Sequence, residues 1–125
     1  ADVATLHLQV GEALRRVSEE VRAGYIDDAP QAAQLAPGSD LAGARLAGVA
    51  LCGADLRGAC LIAADLRGAD LTAVDLLGAD LRDARLDGAD LSRALFLTQA
   101  QVAAARGSAA TRLPAGLARP GHWVP

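Results

Sequence analysis

The feature that most limits what this chain can fold into is a leucine that returns every five residues. Leu41, Leu46, Leu51, Leu56, Leu61, Leu66, Leu71, Leu76, Leu81, Leu86 and Leu91 form the series, and Phe96 takes the next place. Two positions before each stands a small residue, Ser39 first and then Ala44, Val49, Ala54, Ala59, Ala64, Ala69, Val74, Ala79, Ala84, Ala89 and Ala94. The unit reads A-D-L-x-G, as in Ala54-Asp55-Leu56-Arg57-Gly58. A period of five matches neither helix nor strand. On a helix, successive leucines would advance by roughly 140° and leave no apolar face to bury. The chain must instead turn once per repeat, as three extended residues followed by a tight turn. Gly43, Gly48, Gly53, Gly58, Gly68, Gly78 and Gly88 stand where that turn needs a permissive backbone.

Composition agrees with a narrow, regular interior. Apolar residues make up 52% of the chain, yet Tyr25, Phe96 and Trp123 are its only aromatics and Met is absent. Irregular cores use aromatics to fill space; an Ala/Leu core suits a repeat. The tandem A-D/N-L-x-x units of residues 39–98 resemble the pentapeptide-repeat family. That resemblance implies an all-β solenoid with helical ends: a right-handed quadrilateral β-helix of about three coils, with four repeats to a coil and Leu, Phe and Ala pointing inward. At the usual strand spacing three coils stand about 15 Å tall. Residues twenty apart then lie above one another, so the outer faces are read in columns. Arg45, Asp65 and Arg85 form one, with Arg67 over Asp87 beside it, and alternating charge there predicts ladders worth about 0 to 1 kcal/mol per exposed pair. Leu77 and Leu97, with Leu95 alongside, form an apolar column, read either as an interface for self-association or partner docking or as surface covered by a terminal helix.

The ends are expected to cap the solenoid, whose terminal edges are otherwise unpaired. Three segments follow: 1–30, an amino-terminal amphipathic helix and linker; 31–98, the repeat β-helix; and 99–125, a capping helix and tail. Asp2 is the N-cap of a helix to about Ala23 in which Val3, Leu6, Val10, Leu14, Val17 and Val21 recur at three- and four-residue steps. This stripe, with Val10, Leu14 and Val17 at its centre, either packs on the first coil or pairs with the same helix of a second subunit. Ala33-Gln34-Leu35 resembles a further unit but stands six rather than five residues before Leu41. Thr98-Gln99-Ala100-Gln101 fits a capping box opening a helix to about Arg106, with Gly107 as the stop. The tail to Trp123 reads as irregular, and Trp123 as packed on the last coil or the neighbouring helix. Pentapeptide-repeat proteins of actinobacteria often end in a similar L-T-Q-A-Q…T-R-L-P…R-P-x-H-W segment, and in some of them the repeats follow a larger, Cys-containing amino-terminal portion. The chain opens on Ala1 rather than Met, so a piece or processed form of a longer protein is one expectation.

Charge and motifs point away from catalysis. His7 and His122 fall on different ends and read as surface or packing residues. Cys52 and Cys60 are expected to face outward on different sides, sharing neither disulfide nor metal. No phosphate loop or dinucleotide fingerprint is present, and no catalytic, cofactor-binding or metal-binding residues are assigned. The net charge of −3 and the scattered arginines argue against direct nucleic-acid binding. No apolar run approaches the roughly 20 residues of a membrane span, and a cytoplasmic location is expected. The leading expectation is a non-catalytic interaction or scaffold module, self-associating as a homodimer or docking an unnamed protein. A second comes from the family: some members mimic double-stranded DNA and bind DNA gyrase and related type II topoisomerases. Asp70 over Asp90 and Asp55 over Asp75 are the columns that would serve it, although six arginines are interspersed with nine aspartates across the coils. A third makes the coil the structural end of a larger protein.

Overall fold

A computed structural model describes residues 2–125, the side chain of Ala33 excepted. Helix α1 runs Val3–Ala23; Asp2 caps it, its side chain accepting from the Thr5 N–H at 2.7 Å. Two short 3-10 turns, Ile26–Asp28 and Ala32–Gln34, lead into the repeats. Among the described residues the repeats form no extended strand. They pair through single parallel bridges, always on the residue before each leucine and always twenty residues apart: Asp40 with Cys60, Arg45 with Asp65, Ala50 with Asp70, Asp55 with Asp75, and so on to Asp75 with Leu95. Four repeats therefore close one coil, and the chain is a solenoid.

Each corner is a turn in which the leucine carbonyl accepts from the N–H three residues on, as Leu56 does from Ala59 at 3.1 Å. From the Leu41 corner to the Leu86 corner its third residue has positive φ, +64° at Gly58. Ala63, Ala73 and Asp83 hold the same conformation at 57–58°, each at a left-handed cost of about 1–2 kcal/mol that the surrounding ladder sustains. The leucines from Leu51 to Leu91 are 0–2% exposed, in line with their inward assignment. Leu41 and Leu46 are only half-buried because they sit on the open first coil. Phe96 departs from the series. Its φ is +62° and it is half-buried, so the five-residue geometry ends at Leu91 and Phe96 turns the chain out of the stack.

The expected columns stack, and Arg85 acts on Asp65 and Asp87 on Arg67 through charge, but the direct pairs are not between these coils. The close pairs lie within a repeat: Arg57 on Asp55, Arg67 on Asp65 and Arg82 on Asp80, all at 2.7 Å. Each aspartate also accepts the N–H two residues on, as Asp75 does from Leu77 at 2.9 Å. A carboxylate at this slot closes its own turn first, and an arginine two residues along reaches it more readily than one in the next coil.

The tail is more regular than its sequence. Helix α2, Gln99–Ala104, opens on the capping box: Thr98 Oγ1 accepts from the Gln101 N–H and Gln101 Oε1 from the Thr98 N–H. It stops short of Arg106, which returns to the ladder opposite Arg85, as Arg112 does opposite Asp90 and Val124 opposite Ser108. These make an imperfect fourth layer over the last coil. Val102 and Ala105 close the interior at 0% and 1% exposure. Gly107 is not the helix stop. A Cβ there would lie 2.5 Å from the ring of Trp123, so the glycine makes room for the indole, whose N–H donates to the Ala105 carbonyl at 3.0 Å.

Candidate interaction surface

Helix α1 meets the solenoid through its carboxyl-terminal half, and the contact is built from polar and small residues. Asp75 is fully buried on the outer wall, its carboxylate accepting from the Ser18 hydroxyl at 2.5 Å and from its own turn. Ser18 is equally buried and accepts in turn from Arg22 Nε at 2.9 Å. Arg22 lies 3.5 Å from Asp55, and Arg57 stands 3.8 Å from Asp75 as a further cation. Gly53 lets the helix come this close: a Cβ at that position would sit 2.8 Å from the Arg22 carbonyl and 2.9 Å from the Ile26 N–H nitrogen. Burial works to raise the Asp55 carboxyl, but hydrogen bonds from Arg57 and the charge of Arg22 outweigh it and hold the group below the ordinary carboxylate value.

This docking turns the apolar stripe of α1 away from the coils. Val3, Leu6, Val10, Val17 and Val21 keep between 38% and 66% of their surface exposed, and Leu14 is half-buried. Packing of the stripe on the first coil therefore does not occur. Ser18 and Arg22 make the contact with the wall and Ala4, Gly11 and Arg15 line the groove beside it; these five lie roughly 110° around the axis from the stripe. A buried carboxylate can be satisfied by a serine and an arginine but not by a valine, so the polar side wins the wall.

The leucine column is shared out. Leu97 packs at the margin of the core and Leu95 is half-buried in the ladder. Leu77 remains 40% exposed at the floor of a groove of about 650 Å³ between the wall and the amino-terminal half of α1, lined also by Ala4, His7, Leu8, Gly11, Arg15 and Arg57. The structure thus places Val10, Leu14 and Val17 on one surface and separates them from Leu77, Leu95 and Leu97.

Cys52 differs from its expected outward exposure. The segment after α1 covers it, leaving 8% exposed, and burial together with the neighbouring Asp70 carboxylate pushes its thiol up to about 11. Cys60 is half-exposed, and both are free thiols. Among the described residues no group of three or more His, Cys, Asp or Glu is arranged to hold a metal ion. Among the described residues no helix is long and apolar enough to cross a membrane. The sequence signal for the docking was present in Ser18 and Asp75, two polar residues in otherwise ordinary positions, but nothing in a linear reading joins residues 57 apart.

A family model for pentapeptide repeats matches residues 38–72 and 59–96, in eight copies. Nothing among curated proteins matches. Among solved structures, a pentapeptide repeat protein from the thylakoid lumen of Arabidopsis thaliana is similar at 27% identity and a TM-score of 0.36, over 68% of this chain and 57% of that one. The present chain thus spans little more than half the length of that relative.

Proposed function

This chain belongs to the pentapeptide-repeat family, and we propose that it is a non-catalytic, cytoplasmic protein-interaction module built on a right-handed quadrilateral β-helix of about three coils. The observation that carries this reading is the outward apolar stripe of α1, held on a rigid wall by the Ser18–Asp75 contact. Aliphatic side chains aligned in solvent are costly unless something covers them. A helix pinned at its carboxyl-terminal half presents them at a smaller ordering cost than a mobile helix would carry. Mimicry of DNA has less support: Asp55, Asp65 and Asp80 are each neutralised by an arginine at 2.7 Å, which breaks up the negative surface such mimicry needs.

Photo-crosslinking tests the reading. With a photoreactive residue at Val10, irradiation in extract of cells that produce the protein is expected to give discrete protein adducts, and the same residue at the exposed Arg82 is expected to give none. Absence of adducts at Val10 would refute an interaction role for this surface. A gyrase supercoiling assay is expected to be unaffected by added protein.

A further inference from the structure

We infer that the occupant of the α1 stripe is a second copy of the same chain, with the two α1 helices packed antiparallel about a two-fold axis between Gly11 and Glu12. The inference rests on the interaction reading above and names its partner.

The stripe complements itself in one direction only. With the helices antiparallel, Leu6 faces Val17 of the other copy and Val10 faces its Ala13, and the same two contacts recur across the axis, as an isologous interface requires. The small Ala13 near the centre allows the helices a close approach. Gln9 then lies beside Arg16 of the second copy, where its amide oxygen can accept from the guanidinium. Glu20 falls at the outer end, opposite Val3, where its carboxylate reaches water. A parallel pairing with the same seam instead stacks Val10 on Val10 and sets Glu20 against Glu20, a like-charge contact at the end of the seam that the antiparallel arrangement avoids.

Area and charge fit the same occupant. Val3, Leu6, Val10, Val17 and Val21 are exposed by 66%, 53%, 51%, 49% and 38%, a patch on the order of 400 Å² per copy, within the range of the largest apolar patches on monomers, which are often functional. Two such patches bury at most on the order of 800 Å², at the weak, transient end of association. A lipid surface is a poorer match, because interfacial helices carry an excess of positive charge on their polar face. In α1 the cations Arg15, Arg16 and Arg22 are balanced by Glu12, Glu19 and Glu20.

The test is sedimentation of the full chain from about 5 to about 500 µM, a range chosen for a weak interface. The mass is expected to rise from 12.7 kDa toward twice that value. Val10→Glu, at a side chain 51% exposed and outside the buried core, is expected to raise the dissociation constant at least about ten-fold, with helical content and Trp123 emission unchanged. For orientation, Leu6→Cys and Val17→Cys chains, each with Cys52 and Cys60 replaced by alanine, are mixed and oxidised. Antiparallel pairing gives mixed disulfides, and parallel pairing gives Leu6→Cys homodimers. A monomer throughout the range, a dimer indifferent to Val10→Glu, a majority of Leu6→Cys homodimers, or Val10-dependent flotation with vesicles of phosphatidylcholine and phosphatidylglycerol would each overturn the inference. If crosslinks form at Val10 but join a different protein, this inference fails and the interaction reading stands.

Discussion

Ser18→Ala is expected to loosen α1 from the solenoid while leaving the coils intact. The substitution removes the hydroxyl that donates to Asp75 at 2.5 Å and accepts from Arg22 at 2.9 Å. Asp75 stays fully buried with only its turn N–H at 2.9 Å and the more distant Arg57 to answer its charge. Leaving a buried acceptor short of a donor costs about 1–3 kcal/mol, and about 2 kcal/mol corresponds to a roughly 30-fold increase in the population of the undocked helix. The Arg22–Asp55 pair at 3.5 Å offsets little of that, since part-exposed pairs contribute about 1 kcal/mol or less. Hydrogen exchange read by mass spectrometry measures the effect by region. Amides of residues 12–26 should exchange faster by that factor, and amides of residues 60–95 should keep their protection. Unchanged exchange in α1, or equal acceleration in both regions, would refute the claim that this hydroxyl holds the helix to the wall.

Other substitutions probe the rest of the architecture. Leu71→Ala opens a void in a fully buried layer and should cost about 3 kcal/mol, read from the denaturant midpoint. Gly107→Ala forces a methyl against the Trp123 ring and should shift the indole emission to longer wavelength; an unshifted spectrum would mean that the ring is not packed there. Ala63→Gly relieves an exposed left-handed residue at φ 57° and should stabilise the fold by about 0.5–1 kcal/mol after the unfolded-state entropy of glycine is subtracted. Cys52, pushed up to about 11, stays protonated at pH 8 and should react with iodoacetamide far more slowly than the half-exposed Cys60, as peptide mapping would record. Hydrogen bonds from Arg67, Thr72 and Arg82 hold Asp65, Asp70 and Asp80 below the ordinary 3.8, Asp65 at about 2. Their contribution is therefore complete above about pH 4 and is lost as pH falls through the lowered values, so the denaturation midpoint should drop between about pH 4 and about pH 2.

The sequence by itself determined the solenoid and its register. A leucine every five residues, small residues two before it and glycine at the turns are local constraints repeated so often that one geometry satisfies them all, and the ladder of twenty-residue bridges follows. The helix α1 and the capping box at Thr98 were legible for the same reason, since caps and periodicity act over a few residues. Tertiary structure decided where those elements point. The stripe of α1 has the pattern of a face that packs on its own fold, yet Asp75, buried on the wall, claims an adjacent side of the helix through Ser18 and Arg22. The tail joins the ladder as a fourth layer although it carries no five-residue period, because open edge N–H and C=O groups accept any backbone that reaches them, as Arg106 and Arg112 do. Gly107, which reads as a helix stop, serves an aromatic ring sixteen residues away. Each of these outcomes turns on a contact between residues far apart in the chain, set by burial and hydrogen-bond satisfaction, which no local pattern encodes.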